Sequence, residues 1–475
     1  MSHAGDAYGL TRERHIARFA ELLPELQDRI EWPVERLAVE RLRALRALVA
    51  TARERSPWHR ERLGDVEPQE LTEANLKSLP VMTKADLMDN FDAIVTDRRV
   101  SLNLCEGQLA LSARGSYLLG EYSVVASGGS SGRRGGFIYG WDAWATCYAS
   151  IVRFVQRDWE SDPRLADVER NTAVVAASAP THLSAALGRT FSSPANPRHL
   201  LPVTWPLEVI VDGLNELQPT VLMAYSSFLP RLILEARAGR LSIAPRRVIA
   251  ISEPLLTEIR AAAEATWDAP VACGYGMSEG LITGSCGHAI HLPDDLCLVE
   301  PVTVDRRRTP PGQRSDRVLV TNLYNPVLPL IRFEVTDEIT VLDGPCPCGA
   351  VFRRISDPQG RLDETFTYDR LSMHPHVFRS VLATFRQVIE YQVLQSPHGA
   401  EVRIVTCGDL DPEALRVRLE AALTRLGLDQ PLVTVRPVAS LQRHPSGKLQ
   451  RFVPLQPDHT LATPDRRSAS PTRPN

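Results

Sequence analysis

The sequence lacks the features that mark membrane, secreted or nucleic-acid-binding proteins. No apolar run in its 475 residues reaches the roughly 18 residues that a membrane span needs, and the basic N-terminus is not followed by the apolar core of a secretory signal. Eight cysteines are too few for a disulfide scaffold. The net charge of −3, from 54 basic and 57 acidic residues, gives nucleic acid or lipid no excess charge to attract. These absences predict a cytoplasmic protein that binds neither nucleic acid nor membrane.

The composition does provide a large apolar core. Hydrophobic residues make up 43% of the chain and charged residues 23%, as in soluble globular proteins. Residues 34–55 carry leucines and valines at helical spacing, which predicts a packing helix that Ser56-Pro57 ends. From about residue 115 to 340, helical patterns alternate with short apolar runs, of which four are predicted strands: 172–177, 220–224, 247–251 and 317–323. This alternation predicts an α/β domain with a largely parallel or mixed sheet.

The last hundred residues predict a separate small α+β module at about 365–455. Strands are predicted at 386–395, 401–406 and 432–435. Asp411-Pro412 is typical of a helix start, and it precedes an apolar stripe formed by Leu415, Leu419, Ala422, Leu423 and Leu426. The Pro-, Ser- and Arg-rich tail is predicted to be disordered. We therefore expect a large domain at 1–360, a small domain at 361–457 and a tail at 458–475.

Several loops carry residue types that suit nucleotide chemistry. The Gly/Ser-rich residues 126–136 (ASGGSSGRRGG) offer free backbone N–H groups and two arginines to an anion, but their spacing differs from that of a P-loop ATPase. Residues 273–280 (CGYGMSEG) offer an aromatic face to a purine and a carboxylate to Mg²⁺. The remaining segments are 252–254 (SEP), 331–337 (IRFEVTD), 360–364 (GRLDE) and 443–451 (RHPSGKLQR). Taken alone, each is typical of a solvated loop.

Taken together, in order and spacing, these segments resemble the adenylate-forming superfamily, and within it the phenylacetate–CoA ligase-like branch. The likeness runs from about residue 40 to 455 and includes residues 56–63 (SPWHRERL) and 79–87 (LPVMTKADL). It implies an α/β fold with a large multi-sheet N-terminal domain and a small α+β C-terminal domain. The small domain is implied to turn about a hinge at Asp363.

The resemblance also implies which residues bind ATP. Those implied to hold the β- and γ-phosphates are Ser127, Ser130, Ser131, Gly132 and Arg133. Those implied to surround the AMP part are Ser252, Glu253, Pro254, Tyr275, Gly276, Met277, Ser278 and Asp337. Glu279 is implied as a ligand of Mg²⁺, and Arg361 is implied to lie close to Asp337, the ribose partner. Lys448 is implied to be the catalytic lysine, which reaches the α-phosphate and the carboxylate oxygen.

The cysteines are unevenly placed, and four residues resemble a zinc pattern found in some members of the branch. Cys286, His291, Cys346 and Cys348 would supply three thiolates and one imidazole, a closed set that implies a structural Zn²⁺. His288 is the rival imidazole. Two loops with reduced thiols are the alternative.

The implied reaction is the ATP-dependent adenylation of a small aromatic carboxylic acid, with release of pyrophosphate and transfer of the acyl group to CoA. Residues 365–373 (TFTYDRLSM) lack the glycine that the family has in its pantetheine-binding loop, which leaves other acceptors open. These are an amine, a carrier-protein thiol, or aryl amine attack on activated nitrite. A catalytically dead nucleotide-binding scaffold is the third alternative, although Lys448, Glu279 and Asp337 are all retained. A homodimer is also left open.

Overall fold

The structure of the protein, a computed structural model, describes residues 2–111, 115–126, 136–163, 165, 167–176, 181–194, 196–356, 366–369, 371–373, 376–382, 384–385, 387–443 and 449–455. Its α-helices are α1 (Ser2–Asp28), α2 (Val34–Arg55), α3 (Pro57–Arg62), α4 (Lys84–Ile94), α5 (Leu102–Leu111), α6 (Trp141–Ser161), α7 (Leu183–Phe191), α8 (Leu207–Leu217), α9 (Leu229–Arg237), α10 (Thr257–Trp267), α11 (His376–Leu382) and α12 (Pro412–Arg425). Its 3₁₀ turns are Arg29–Glu31, Pro68–Glu70 and Leu76–Ser78.

The strands form several separate sheets. They are β1 (Ser123–Ala126), β2 (Gly136–Tyr139), β3 (Thr172–Ala176), β4 (Arg198–Pro202), β5 (Val221–Tyr225), β6 (Arg247–Ile251), β7 (Val271–Gly274), β8 (Gly284–Ser285), β9 (Ile290–His291), β10 (Cys297–Val302), β11 (Arg317–Asn322), β12 (Phe333–Val335), β13 (Val341–Leu342), β14 (Arg354–Ile355), β15 (Phe366–Tyr368), β16 (Leu371–Met373), β17 (Val388–Ser396), β18 (Gly399–Thr406), β19 (Leu432–Pro437) and β20 (Phe452–Val453).

Local sequence signals set the helix ends near the N-terminus. The predicted helix over 34–55 is confirmed as α2. The hydroxyl of Ser56 accepts a hydrogen bond from the N–H of His59, and Pro57 fills the first position of α3, so one helix ends where the next begins. At the start of α4, Thr83 and Asp86 cap each other's main chain in a capping box.

The central sheet is entirely parallel, with the strand order β4-β3-β5-β6-β7. Helices α7 to α10 connect its successive strands along the chain. Its inner strands are buried over almost their whole length, as expected when both faces of a sheet are covered. The strands predicted at 172–177, 220–224 and 247–251 are confirmed within one residue as β3, β5 and β6, and so is the predicted α/β class.

The other sheets of this part are antiparallel. The sheet β10-β11-β12 contains the fourth predicted strand as β11, and a further sheet has the order β13-β14-β9-β8. Strands β1 and β2 pair as a hairpin in which Ala126 lies opposite Gly136. The Gly/Ser-rich loop is therefore the connection of a hairpin whose two strands are buried.

Two N-terminal segments brace the chain that leads into β12. Nε2 of the buried His59 lies 2.9 Å from the carbonyl oxygen of Pro329. The N–H of Met82 donates to the carbonyl oxygen of Arg332 at 3.1 Å, and the N–H of Glu334 donates back to Met82 at 2.8 Å. The segments 56–63 and 79–87 therefore hold the strand that precedes Asp337.

The C-terminal strands form a sheet of their own, with the order β19-β18-β17-β20. The three predicted strands are confirmed as β17, β18 and β19. Asp411 caps α12 through the N–H of Glu413, as the Asp-Pro pair predicts. Leu426 does not belong to the buried stripe, because it follows the last turn of α12 and is 48% exposed, so the helical period no longer sets its direction. The predicted boundary at 360 and 361 and the tail lie outside the described residues.

No described helix combines the length and the apolar character that crossing a lipid bilayer requires.

Two histidines are buried among apolar side chains. His15 on α1 stacks on Tyr117 with 5.0 Å between ring centroids, and burial lowers its pKa to about 4. Burial likewise lowers the pKa of His59 to about 4. The unfolded chain takes up a proton at each site near pH 6.5, while the folded chain resists it down to about pH 4. Stability contributed by the neutral imidazoles is therefore present above pH 6.5 and is lost as the pH falls towards 4.

We expect the His15→Phe variant to lose less stability on acidification than the unsubstituted protein. The reason is that it removes one of the two imidazoles that only the unfolded state protonates in this range. The free energy of unfolding is measured in urea at pH 7 and at pH 4.5. The drop between the two pH values should be smaller in the variant than in the unsubstituted protein, by about 2 kcal/mol. The control is His398→Phe, which replaces an exposed imidazole. Equal pH dependence in His15→Phe and in the unsubstituted protein would contradict this account.

Candidate active site

The loops after β5, β6 and β7 lie on one edge of the central sheet. Tyr225 at the end of β5 pairs with Ile251 at the end of β6, and Ile251 pairs with Gly274 at the end of β7. Because parallel strands point the same way, the segments that follow these residues must leave the sheet side by side. In open α/β sheets this carboxyl edge is where ligands bind. It carries the predicted nucleotide segments at 252–254 and 275–279.

The Gly/Ser-rich hairpin loop begins and ends beside the third of these loops. The hydroxyl of Ser278, which is buried, donates to the carbonyl oxygen of Ala126 at 3.4 Å, directly before the loop. After the loop, the hydroxyl of Tyr139 in β2 donates to the carbonyl oxygen of Ser278 at 2.6 Å. The two segments predicted to hold phosphates and purine are therefore in contact at their flanks. The predicted phosphate ligands themselves, Ser127, Ser130, Ser131, Gly132 and Arg133, lie outside the described residues.

The predicted purine and ribose partners touch each other. The hydroxyl of Tyr275 donates to Oδ2 of Asp337 at 2.9 Å, and Asp337 is 8% exposed. Tyr275 is half-buried, and Gly276 beside it is exposed. The loop is held in shape by its own main chain, since the N–H of Met277 donates to Leu281 at 3.0 Å. An aromatic face and a carboxylate are thus positioned together at the sheet edge.

Glu279 is positioned by the glycine that follows it. Gly280 has a φ of +99°, and a Cβ there would come within 1.9 Å of Nδ2 of Asn322. The same Nδ2 donates to the carbonyl oxygen of Glu279 at 3.2 Å. Burial raises the pKa of Tyr139, and Cys147 and the charge of Glu279 raise it further. Glu279 therefore lies close enough to the strand that follows the Gly/Ser-rich loop for its charge to act on Tyr139, and a carboxylate there is suited to hold a divalent cation.

Glu253 binds two main-chain amides from distant parts of the chain. Its Oε2 accepts from the N–H of Ser227 at 2.8 Å, and its Oε1 accepts from the N–H of Leu449 at 2.9 Å. Its own carbonyl oxygen accepts from the hydroxyl of Ser226 at 2.9 Å. The preceding Ser252 has a φ of +66°, in the left-handed region. The side chain of Glu253 is thus engaged with protein, and its predicted contact with nucleotide stays a prediction, as does that of Pro254.

The C-terminal segment reaches the same edge of the sheet. Lys448, Arg361 and the hinge residue Asp363 lie outside the described residues. On either side of the lysine segment, however, Arg443 donates to the hydroxyl of Ser227 at 3.0 Å, and Leu449 donates to Glu253. Both flanks of the predicted catalytic lysine loop are therefore bound to the loops after β5 and β6.

The sequence reasoning missed two charged residues that bind this segment or its partner, Arg231 and Glu390, and it gave no role to Arg443 within the segment. Glu390 lies in β17, and its side chain has no exposed surface. The arginines Arg231 and Arg443 both bind its carboxylate. An acidic residue between the apolar Ile389 and Tyr391 in a buried strand is the one signal that the sequence offers.

The four predicted metal ligands converge in a second site, which shares no residue with this edge. The ligand atoms of Cys286, His291, Cys346 and Cys348 all lie within 4.8 Å of one another. The Sγ atoms of Cys286 and Cys346 are 3.6 Å apart, and Nε2 of His291 lies 3.2 Å from Sγ of Cys286 and 3.4 Å from Sγ of Cys348. Tetrahedral zinc with Zn–S bonds of about 2.3 Å and a Zn–N bond of about 2.0 Å has S–S edges of about 3.8 Å and S–N edges of about 3.5 Å. The donor set and its spacing fit that ion.

The surroundings of His291 show that it, and not His288, supplies the imidazole of the cluster. Its Nδ1 lies 3.3 Å from the carbonyl oxygen of Phe352, which leaves Nε2 facing the thiols. The imidazole also stacks on Phe154 with 4.7 Å between ring centroids. His288 is exposed and approaches Cys286 through its main-chain N–H. His291 is therefore the imidazole of the described cluster.

The crowded thiols shift one another's pKa values in opposite directions. The hydrogen bond from Cys286 holds the pKa of Cys348 well below the usual thiol range, with further lowering by His291 and Arg157. The same contact raises the pKa of Cys286, and burial raises that of Cys346. One thiolate forms readily here, but three thiolates this close together need a cation between them.

Sequence comparison finds no relative, since no protein-family profile matches the chain and no curated protein is detectably similar to it. Comparison with solved structures does find likeness. The chain is similar to 2-hydroxyisobutyryl-CoA ligase in its postadenylation state, in complex with R3-HIB-AMP, with a TM-score of 0.70 at 17% identity over 90% of this chain and 91% of that one. It is also similar to an open conformation of that ligase in complex with 2-HIB-AMP and CoA, with a TM-score of 0.55 at 17% identity over 90% of this chain and 93% of that one. The chain therefore has the fold of the adenylate-forming enzymes.

Proposed function

We propose that the protein is an AMP-forming ligase that activates a small aromatic carboxylic acid with ATP and passes the acyl group to the thiol of CoA. The observation that carries this proposal is the convergence at one sheet edge. Ser278 contacts the start of the Gly/Ser-rich loop, and Tyr275 contacts Asp337. The shared fold supports it, because 2-hydroxyisobutyryl-CoA ligase, by its name, joins an acid to CoA and binds an acyl adenylate.

Catalysis of the first step is mostly positioning and charge neutralisation. A carboxylate oxygen of the acid attacks the α-phosphorus of ATP, and the bond to pyrophosphate breaks. The residues that would hold the β- and γ-phosphates are Ser127, Ser130, Ser131, Gly132 and Arg133. Asp337 would bind the ribose hydroxyls with Arg361 close by, and the ring of Tyr275 would stack on the purine. Glu279 would hold Mg²⁺, which supplies positive charge to the phosphates.

Lys448 would reach the α-phosphate and the carboxylate oxygen as negative charge builds between them. A compact ammonium on a flexible stem suits this role better than a planar guanidinium. The composition supports the choice, since only three of the 54 basic residues are lysines: Lys77, Lys84 and Lys448. In a chain that uses arginine almost everywhere else, a lysine in a glycine-containing loop points to a requirement for an ammonium.

The domain organisation proposed for this function follows the sequence. A large domain at 1–360 would carry the sheet edge, and a small domain at 361–457 would carry Lys448 and turn about Asp363 between the two half-reactions. Two bulky side chains of the glycine-lacking segment 365–373 are turned to another use and do not oppose CoA as the acceptor. Phe366 and Tyr368 are buried, and the hydroxyl of Tyr368 donates to the carbonyl oxygen of Gly399 at 2.8 Å, so both side chains serve the C-terminal core.

We further propose that Cys286, His291, Cys346 and Cys348 hold a structural Zn²⁺. The ion would join the β8–β9 turn to the loop that precedes β14, where the surrounding apolar cluster is small. A Cys₃His set leaves no open position for catalysis. Three thiolates and one Zn²⁺ carry a formal charge of minus one, and Arg157 lies beside Cys348 to balance it.

The Lys448→Ala variant is expected to lose acid-dependent pyrophosphate exchange by orders of magnitude while its affinity for ATP stays nearly unchanged. Exchange is measured with a panel of aromatic and short aliphatic acids, and ATP binding by calorimetry. Lys448→Arg is expected to recover little of the rate, because the guanidinium is planar and its charge is spread out. Lys77→Ala, which removes an exposed lysine, is the control. Full exchange in Lys448→Ala would remove this residue from the mechanism. If none of the acids supported exchange in the unsubstituted protein, the proposed ligase activity would be contradicted.

Protein purified without metal-chelating resin is expected to contain about one zinc per chain. Cys346→Ser should lose the zinc and unfold at a lower temperature, because the small apolar cluster around the site would lose its cross-link. Elemental analysis and thermal unfolding measure the two effects. Cys407→Ser removes an exposed cysteine outside the cluster and should keep the metal. A zinc content near zero in the unsubstituted protein would refute the site.

A further inference from the structure

A buried carboxylate joins the C-terminal sheet to the central sheet. Arg231, on α9 between β5 and β6, donates to Oε2 of Glu390 through Nε at 3.0 Å and through a terminal nitrogen at 2.6 Å. Glu390 belongs to β17, in the C-terminal sheet, and its side chain is fully buried. Its other oxygen binds Arg443, which belongs to the same C-terminal part. One carboxylate is thus held from both sides of the boundary between the two sheets.

A second carboxylate bridges the same boundary in the opposite sense. Glu253 follows β6 in the central sheet, and its two oxygens accept from the amides of Ser227 and Leu449. Ser227 in turn accepts from Arg443 through its hydroxyl at 3.0 Å. The three residues from the central part and the three from the C-terminal part form one continuous network: Arg231, Ser227 and Glu253 with Glu390, Arg443 and Leu449.

The network includes the two described residues that flank the segment carrying Lys448. Arg443 and Leu449 are the described residues immediately before and after that segment. Both are bound to the loops that follow β5 and β6, at the edge where the nucleotide segments meet. Any rotation that withdraws the C-terminal sheet must break the Leu449 and Arg231 contacts together.

The energetics favour the joined arrangement. Hydrogen bonds to a charged acceptor are stronger than neutral ones, and a carboxylate that loses its partner inside the protein costs more than the pair contributes. If the two sheets separate, Glu390 keeps Arg443 but loses Arg231. Glu253 loses one of its two amides. The exposed pair Arg240–Glu235 at the end of α9 remains within the central part, so it opposes no such motion.

We infer that Glu253 and Glu390 are positioning residues that latch the C-terminal sheet onto the loops after β5 and β6 and so favour the first half-reaction over the second. This inference rests on the proposed function, because it assigns the latched arrangement to adenylation. It agrees with the comparison of structures, in which the TM-score is 0.70 for the postadenylation state of the ligase and 0.55 for its open conformation.

The latch is tested by a distance measurement that needs no substrate. Spin labels are placed on Cys407, the exposed cysteine of the C-terminal part, and on a Glu216→Cys substitution on the exposed side of α8. A control sample without the Glu216→Cys substitution shows whether any other cysteine of the chain takes up the label. Pulsed electron paramagnetic resonance on the full chain should give one narrow distance.

Arg231→Gln and Glu253→Gln should each broaden that distribution and reduce its short-distance fraction several-fold. In Arg231→Gln, Glu390 keeps Arg443, so the variant is expected to fold even if Glu253→Gln does not. The matched control is Arg240→Gln, which breaks the ion pair between Arg240, just after α9, and Glu235 within the helix, and it should leave the distance unchanged. Unchanged distances in folded Arg231→Gln and Glu253→Gln would overturn the latch.

The rates of the two half-reactions give a second test. A substitution that only weakened the fold would lower both rates, whereas loss of the latch should lower only the first. Arg231→Gln should lower pyrophosphate exchange by at least about tenfold while transfer from a supplied acyl adenylate keeps its rate. Equal loss in both half-reactions would overturn the positioning role. If no acid supports exchange in the unsubstituted protein, the proposed function fails, and the distance measurement still decides whether the latch exists.

Discussion

Parallel pairing of β5, β6 and β7 is the constraint on which the rest of the structure depends. Their aligned ends, Tyr225, Ile251 and Gly274, force the next few residues of each strand to one edge of the sheet. Segments that are separated by about 25 residues in the chain thereby become neighbours. Tyr139 and Ser278 then attach the Gly/Ser-rich hairpin to that edge, and Tyr275 attaches the segment that carries Asp337. A register shift in this sheet would separate all of these groups at once.

Carboxylates at the edge act in two different ways. Asp337 binds Tyr275 at this edge, and Glu279 lies in the loop that follows β7; these are the two carboxylates proposed to serve the nucleotide. Glu253 and Glu390 are instead occupied by protein donors and connect two parts of the chain. The bonds of the second pair cross from the central part of the chain to the C-terminal part, which is why the proposed latch depends on them. The Cys/His cluster shares no residue with either pair, and its proposed Zn²⁺ would join the β8–β9 turn to the loop that precedes β14.

The sequence predicts those parts of the structure whose cause is local. Helical spacing, the Asp-Pro helix start and the apolar runs of the parallel strands match the described elements, since near neighbours determine them. The four members of the Cys/His cluster could be named because the cysteines and the histidine match a known pattern of residue types, and the structure brings them together. The partners of Glu253 could not be predicted, because Leu449 lies 196 residues away and the contact depends on how two sheets are arranged. The prediction that Leu426 belongs to the buried stripe was wrong, because it extended the helical period past the end of α12.

The central claim is that the loops at this edge surround one ATP molecule. Hydrogen–deuterium exchange with and without ATP and Mg²⁺ tests it most directly, because it reports on every loop in one experiment. The account predicts slower amide exchange, in parallel, in peptides that cover residues 123–139, 271–282 and 333–337. Slower exchange in only one of these regions, or at a different edge of the sheet, would contradict it.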